Sequence, residues 1–201
     1  MRILFALYLL IGLGCTTSHA QLLSQEQRDT CKVYTDLSVA LKNPSQVYKL
    51  DLRKQKLTEF PAEINQLKNL NELFLDKNKI DSIPPSIGTL RYLQVVKINN
   101  NKIEKIPEEL LWLQHLKILE LGDNFISWIP DNIDKLVELE YLALWDNPIT
   151  HFPIELSDLN QLKTLDLLNN QMNKNTQERL RSLLPKSKVI MSAPCNCADE
   201  E

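Results

Sequence analysis

The sequence predicts an α/β solenoid of six coils, with a curved parallel β-sheet on the concave face and short helical or 3-10 turns on the convex face. The first observation is a period: leucine or valine recurs every 23 residues, at positions 47, 70, 93, 116, 139 and 162. The second is the alternation of apolar and outward residues after each of them, which is the two-residue period of a β-strand. The third is a proline fourteen residues after the start of each of the first five coils. Places within a coil are counted below from that leucine or valine, which is position one.

The first 20 residues resemble a secretory signal peptide. Arg2 precedes an apolar run over residues 3–14, and small residues stand at 18 and 20, where signal peptidase reads the chain. The run is shorter than the roughly 20 apolar residues that span a bilayer. We therefore predict cleavage before Gln21 and export of the mature chain, which would be secreted, periplasmic or held at the cell surface.

An alternative for the same segment is a lipid anchor at Cys15. Residues 11–15 loosely match the lipobox of bacterial lipoproteins, although Gly12 stands where that motif usually has leucine. No later segment is apolar enough to cross a membrane. Cleavage and lipidation both predict an exported protein.

Residues 21–46 are predicted to cap the N-terminal end of the solenoid. The run Thr35-Asp36 is suited to start a helix, which would end before Pro44. Three apolar residues share one face of this helix, and they are Leu37, Ala40 and Leu41. That face is expected to cover the first coil, because the end of a repeat array needs a cap.

Residues 47–184 hold the six repeats and a C-terminal capping helix. The run 175–178 resembles a capping box that opens this helix, and Pro185 would stop it. The side chains expected to face inward are Leu180, Leu183 and Leu184. Residues 185–201 are expected to add an edge strand at 188–191 and an acidic tail that contains cysteine.

Position nine carries asparagine in every coil but the first, where it is Gln55. The chain leaves the strand there, and its buried backbone groups need hydrogen-bond partners. An amide side chain offers both a donor and an acceptor, so its repetition predicts a structural ladder. The members of this ladder are Asn78, Asn101, Asn124, Asn147 and Asn170.

Charge and cysteine content narrow the function. Without the first 20 residues the chain has 22 basic and 26 acidic residues, a net charge of −4, which does not favour binding to nucleic acid.

Three cysteines, an odd number, would remain after cleavage, and they are Cys31, Cys195 and Cys197. Six stacked coils would separate Cys31 from the other two by about 25 to 30 Å, too far for a disulfide. Cys195 and Cys197 are expected to form a local disulfide, to bind a metal with outside ligands, or to stay inert.

The repeat resembles a known family. From Leu116 to Leu136 the fourth coil follows the template LxxLxLxxNxLxxLPxxIxxL. This resembles the 23-residue LP-x-x-I class of leucine-rich repeats, of the Ras-suppressor-like, plant intracellular Ras-group-related and disease-resistance types, here in an exported bacterial member. The resemblance covers residues 35–191. It implies a leucine-rich repeat solenoid whose concave face is the usual ligand face.

The sequence offers poor candidates for catalysis. His115 and His151 fall in loop positions of different coils, without a serine, cysteine and carboxylate arrangement around them. The chain has four glycines and no glycine-rich phosphate loop, and no metal-ligand spacing recurs. We therefore predict no enzyme, no cofactor and no metal site.

A protein-binding surface is the stronger expectation. Position three places Val95, Ile118 and Tyr141 in one column of the concave face, and position seven adds Trp145 and Leu168. We call these five residues the predicted patch, and we expect it to be contiguous and exposed. Charged residues are expected to form its rim, and they are Lys117, Glu120, Asp123, Glu140, Asp146 and Asp166. Aromatic side chains inside a charged rim are typical of a binding hot spot, although valine, isoleucine and tyrosine also suit any strand.

Three functional hypotheses follow. The first is a non-enzymatic protein-binding module that holds a protein or peptide on its concave face. The second is an envelope or surface structural component, lipid-tethered at Cys15, without a dedicated ligand. The third is a thiol-redox role for Cys195 and Cys197.

Overall fold

The computed structural model describes residues 22–195, and the predictions for residues 1–20, Cys15, Cys197 and the acidic end of the tail lie outside that range. Eight strands form one parallel sheet in chain order. The strands are β1 (Val33–Tyr34), β2 (Lys49–Asp51), β3 (Glu72–Phe74), β4 (Val95–Lys97), β5 (Ile118–Glu120), β6 (Tyr141–Ala143), β7 (Thr164–Leu167) and β8 (Lys188–Met191). The predicted solenoid is confirmed, with β2 to β7 as one strand from each of the six coils.

The other half of each coil returns through a short turn. Each of the first five coils has one 3-10 turn in its second half. These turns span Ala62–Gln66, Pro85–Thr89, Glu108–Trp112, Ile133–Lys135 and Ile154–Asp158. The residue before each turn is proline in four coils, where the fixed φ suits the start of a helical turn. In the fourth coil it is Asn132, so that turn is two residues shorter than its neighbours.

From β2 to β7 the register of the sheet reproduces the 23-residue period, because each strand residue pairs with the one 23 places further along. The central residue of each strand points into the core, where Leu50, Leu73, Val96, Leu119, Leu142 and Leu165 are fully buried. Apolar residues of the turns, such as Ile64 and Leu110, face them from the other side of the coil. Burial of one such side chain is worth about 1.5 to 3 kcal/mol, so the stack of coils forms one continuous core.

The asparagine ladder is confirmed in atomic detail. Asn124 donates from Nδ2 to the carbonyl oxygens of Ile98 and Leu121, both at 3.0 Å. Its Oδ1 accepts the backbone N–H of Ile103 at 2.9 Å. Each rung therefore joins its own coil to the preceding one. Gln55 instead donates to the carbonyl oxygen of Thr35, at 2.8 Å, and so ties the first coil to the N-terminal cap.

The caps contain more structure than the sequence predicts. The helix expected at Asp36 is present as α2 (Leu37–Ala40), and the predicted edge strand is β8. Ahead of them lie an unpredicted helix, α1 (Gln25–Thr30), and strand β1. The C-terminal helix α3 (Lys174–Leu183) is capped by Asn173, whose Oδ1 accepts the N–H of Thr176 at 2.9 Å. It therefore begins one residue before the run 175–178 in which we expected its start.

Position eight has a left-handed backbone in all six coils, with φ between 50 and 60°. This conformation costs most L-residues about 1 to 2 kcal/mol, and asparagine and aspartate tolerate it best. The later coils carry asparagine or aspartate there, whereas the first two carry Lys54 and Lys77.

Replacing Lys77 by asparagine should therefore raise the free energy of unfolding by about 0.5 to 1 kcal/mol, a part of that cost. Lys79→Asn is the matched control, since Lys79 is equally exposed and its φ is not positive. Urea unfolding of the two variants measures the difference. Equal stability of both variants would contradict the explanation from backbone conformation.

Candidate protein-binding face

The sheet has one side on the core and one open side, which we call the open face. Residues at positions three, five and seven project from it, because alternate residues of a strand point to opposite sides. Of the predicted patch, Ile118, Tyr141 and Trp145 are partly exposed and Leu168 is 41% exposed. Val95 is only 6% exposed, so the prediction that it is an exposed member of the patch is wrong.

The N-terminal segment, residues 22–31, lies across the residues that start β3 and β4, and we infer that it buries Val95. The backbone N–H of Leu23 donates to Oδ1 of Asn71 at 3.0 Å. Nε2 of Gln94 donates to the carbonyl oxygen of Leu23 at 2.8 Å. Asn71 and Gln94 hold position two, directly before β3 and β4, and both are almost fully buried. The open face is thus already occupied at its N-terminal end.

An arginine secures this segment. Arg28 of α1 donates from Nε to Oε1 of Glu72 at 2.9 Å, and from Nη1 to Oε1 of Gln94. Lys49 approaches the second oxygen of Glu72 at 3.0 Å. Arg28 and Glu72 are 4% and 6% exposed, so this is a buried ion pair on the outside of the sheet. This ion pair was not predicted from the sequence. The available signal was at position two, where Asn71 and Gln94 are uncharged and the later coils have Lys117, Glu140 and Lys163.

Trp145 lies flat against the strand beside it. A Cβ on Gly122 would meet the indole at 2.1 Å from Cε2 and 2.3 Å from Nε1. Gly122 holds position seven of the fourth coil, and Trp145 holds the same position one coil later. The indole therefore occupies the space of the missing side chain and leans toward the N-terminal coils. It also borders a cleft of about 550 Å³ that is lined by Asp76, Asn99 and Arg53.

Tyr141 lies next to two carboxylates. Burial raises the pKa of its phenol, and the charges of Asp166 and Glu120 raise it further. The phenol therefore stays protonated and can donate a hydrogen bond at any physiological pH. Ala143, between Tyr141 and Trp145 on the same side of the strand, is 1% exposed. A methyl group on the open face is buried only when larger side chains cover it, so we infer that the two aromatic residues close over Ala143.

Asp166 lies within the patch and not on its rim. It pairs in register with Ala143, and it lies between Thr164 at the start of β7 and Leu168 directly after β7. Its Oδ1 accepts the N–H of Leu168 at 3.0 Å. Within residues 22–195, no nitrogen of lysine, arginine or histidine lies within 4.0 Å of its carboxylate.

The same holds for Asp123 and Asp146 at position eight, both of which are exposed. By contrast, Glu120 pairs with Lys97 at 2.7 Å and Glu140 pairs with Lys163 at 2.5 Å. The C-terminal half of the open face therefore keeps three carboxylates without a basic partner in the described part of the chain.

A polar network links the cleft to the patch. Oδ1 of Asp76 accepts the N–H of Asn99 at 2.8 Å and its Nδ2 at 2.9 Å. Nδ2 of Asn99 also donates to Oε2 of Glu120, while its Oδ1 accepts the N–H of Gly122. Burial raises the pKa of Asp76, with Glu120 adding to the shift, so its ionised form opposes folding.

Replacing Asp76 by asparagine should raise stability at pH 7, because the amide keeps the accepting oxygen and removes the buried charge. A raised pKa means that the folded chain binds this proton more tightly, so the cost of ionisation grows as pH rises above the usual aspartate range. The gain should disappear toward pH 4. Asp51→Asn should lower stability at pH 7, because the hydrogen bond from Arg53 lowers the pKa of Asp51 and so stabilises its ionised form in the folded chain. Urea unfolding at both pH values measures this, and a loss at pH 7 in Asp76→Asn would contradict it.

A second groove lies away from the predicted patch. A groove of about 880 Å³ runs along the residues between the ladder asparagines and the 3-10 turns, and it is lined by Lys105, Trp128, His151 and their neighbours. Trp128 and His151 form an isolated parallel bridge between coils. The ammonium of Lys105 lies 5.5 Å from the centre of the Trp128 ring, and His151 bonds Asp131 at 2.9 Å. Lys105, Trp128 and His151 therefore have structural partners within the chain.

Two cysteines fall in the described range. Cys31 and Cys195 are each disulfide-bonded. They precede β1 and follow β8, at opposite ends of the sheet, so roughly 30 Å of stacked strands rules out a bond between them. Within residues 22–195, no group of three or more histidine, cysteine, aspartate or glutamate side chains is arranged to hold a metal ion. In the same range, no helix is long and apolar enough to cross a membrane.

A family model described as "Leucine-rich repeat region" matches residues 73–198, more than half of the chain. The chain belongs to the leucine-rich repeat family. Leucine-rich repeat proteins of this kind are typically non-enzymatic scaffolds, and the fold is typical of protein–protein interaction modules. Comparison with curated protein sequences gives no match.

Two solved leucine-rich repeat structures are similar. One is a leucine-rich repeat protein of Leptospira interrogans, 28% identical, with a TM-score of 0.60 over 81% of this chain and 49% of that one. The other is the leucine-rich repeat ectodomain of the plant membrane receptor kinase GASSHO1/SCHENGEN3 from Arabidopsis thaliana, in complex with CASPARIAN STRIP INTEGRITY FACTOR 2. It is 26% identical, with a TM-score of 0.53 over 70% of this chain and 17% of that one. The chain thus spans about half the length of the first and less than a fifth of the second.

Proposed function

We propose that this leucine-rich repeat protein is an exported, non-enzymatic binding module. Its ligand is a protein or peptide segment that lies on the C-terminal half of the open face, against Ile118, Tyr141, Trp145 and Leu168. Val95 is not part of this site, because its side chain is buried. We call these four residues, Ile118, Tyr141, Trp145 and Leu168, the binding patch.

The packing of Trp145 is the observation that carries the proposal. A glycine at position 122 makes room for a tryptophan that remains partly exposed. Neither feature helps the core, since the open face is the side away from it. Tryptophan and tyrosine supply large, rigid contact area at low entropic cost, and they dominate the energy of many interfaces. The complex of the plant ectodomain is consistent with a ligand-binding role for this kind of fold.

Export is supported by two observations. The signal-type N-terminus predicts passage across a membrane. Cys195 is disulfide-bonded, and disulfides persist mainly in oxidising compartments outside the cytosol. A partner is therefore to be sought in the envelope or in the surrounding medium.

A pull-down from the native envelope and culture medium tests the site. The tagged protein is compared with a Tyr141→Ala, Trp145→Ala double variant and with Trp112→Ala. Trp112 is 58% exposed and lies in a 3-10 turn, outside the binding patch. We expect one protein to be captured by the native chain and by Trp112→Ala, with at least 30-fold less captured by the double variant, which corresponds to about 2 kcal/mol.

Equal circular dichroism spectra and melting temperatures are required of all three forms. Capture that is unchanged in the double variant would contradict the assignment of the site. Capture lost only in Trp112→Ala would move the site to the turns.

A further inference from the structure

We propose that the bound segment presents an arginine or lysine side chain beside an apolar one, and that Asp166 receives the basic group between Tyr141 and Leu168. This inference rests on the proposed function, and it adds the chemistry of the partner. The same face would disfavour acidic segments.

Asp166 lies within the binding patch. Its carboxylate lies inside the binding patch, flanked by Tyr141, Ala143 and Leu168, where any bound segment must exclude water from it. A buried carboxylate without a basic partner is costly, so the ligand has to supply one. Asp123 and Asp146 at the edge add negative potential that favours a basic segment and its rapid encounter.

The second argument is a precedent on the same sheet. Glu72 also projects from the open face, and there the N-terminal segment crosses the strands and inserts Arg28 against it at 2.9 Å. Apolar Leu23 of that segment is 2% exposed and packs with Cys31 and Tyr48 in a small separate cluster. An arginine held by a carboxylate with an apolar residue beside it is therefore a mode of binding that this face already uses.

The third argument is the aromatic surroundings. The rings of Tyr141 and Trp145 offer negative faces to a cation, and a cation–π contact becomes stronger when water is excluded from it. The chain itself places cations over rings elsewhere, with Lys32 4.4 Å from the centre of the Tyr34 ring. The phenol of Tyr141 stays protonated beside Asp166, so it adds no negative charge and can bond a carbonyl oxygen of the segment.

A displayed library of random 12-residue peptides, selected on the full-length protein, tests the inference. Peptides that lose binding to the Tyr141→Ala, Trp145→Ala variant are sequenced and synthesised. We expect arginine or lysine at one fixed place beside an apolar residue. Asp166→Asn should weaken these peptides at least 10-fold, whereas Asp158→Asn, an exposed carboxylate in the last 3-10 turn, should leave them unchanged.

A double-mutant cycle distinguishes a direct contact between Asp166 and the basic side chain of the peptide from a long-range effect of the Asp166 charge. The fixed arginine is replaced by citrulline, which keeps the shape and removes the charge. Citrulline and Asp166→Asn together should cost no more than either alone, because both break the same contact. Raising the salt concentration should weaken native binding more than binding to Asp166→Asn.

The outcomes divide cleanly. Peptides that need Tyr141 and Trp145 but carry no fixed basic residue, or that bind Asp166→Asn as tightly as the native chain, overturn the inference and leave the proposed function in place. A library that yields no peptide dependent on Tyr141 and Trp145 overturns the site, and the inference with it.

Discussion

Replacing Asn124 by alanine is expected to lower the free energy of unfolding by about 3 to 5 kcal/mol. Asn124 is 4% exposed and holds the backbone of two coils. The change would leave the buried N–H of Ile103 without a partner. It would also remove one of two hydrogen bonds from the carbonyl oxygens of Ile98 and Leu121, which keep those from Asn101 and Asn147. The unpartnered N–H costs about 1 to 3 kcal/mol, and each lost bond to a carbonyl costs about 0.5 to 1.5 kcal/mol.

Urea unfolding followed by circular dichroism measures this loss. Asn160→Ala is the control, because the Asn160 side chain is exposed and bonds only the carbonyl oxygen of Asp158 two residues before it. The control should change stability by less than about 0.5 kcal/mol. A loss in Asn124→Ala as small as that of the control would show that the ladder does not hold the coils together.

Replacing Glu72 by alanine should release the N-terminal segment from the open face. The change leaves the buried Arg28 and the partly buried Lys49 without an anion, and breaking a buried ion pair from one side costs about 3 to 5 kcal/mol. The segment is short and lies outside the repeats, so we expect it to detach and the solenoid to remain folded. Amide hydrogen exchange should then show loss of protection in α1, with the protection of β4 to β7 kept.

A double replacement, Arg28→Met with Glu72→Met, is the control for charge. Apolar side chains of similar size remove both buried charges and leave only the less buried ammonium of Lys49 without Glu72, so the segment should lose far less protection. Equal protection of α1 in Glu72→Ala and in the native protein would contradict the account of the segment. A gain in accessibility at Val95 in Glu72→Ala would confirm that this segment buries it.

The repeat made most of the fold predictable. A 23-residue period with alternating leucines dictates one strand per coil, and the register of the sheet follows from it. Asparagine at position nine predicts the ladder, because a chain leaving a strand in a buried place needs a donor and an acceptor together. The repeat also explains position eight, whose left-handed backbone favours asparagine and aspartate.

The ends of the chain were less predictable. Helix α1 has six residues and β1 has two, and no period marks them. Their place is set by side chains far away in sequence, chiefly by Glu72 and Gln94, which bond Arg28 across 44 and 66 residues. We attribute the burial of Val95 to these contacts. Its position in a strand predicted exposure, because that position contains no information on contacts so distant in sequence. The start of α3 was misplaced because Asn173 and Asn175 are both good caps.

The binding patch was only partly predictable. The positions of Ile118, Tyr141, Trp145 and Leu168 on one face follow from the register. The orientation of Trp145 follows from Gly122, whose signal is visible in the sequence as a glycine one coil before a tryptophan at the same position. The central place of Asp166 needed the structure, because its neighbours across the strands decide which charges are paired.

Photo-crosslinking from the open face tests the central claim most directly. A photoreactive residue is placed at Leu168, which is 41% exposed in the binding patch, or at Trp112, which is 58% exposed among the turns, and each protein is exposed to light in its native envelope or medium. The account predicts a discrete crosslinked partner from position 168, lost when Tyr141 and Trp145 are alanine, and none from position 112. A partner crosslinked from 112 and not from 168 would contradict the claim that the open face is where this protein binds.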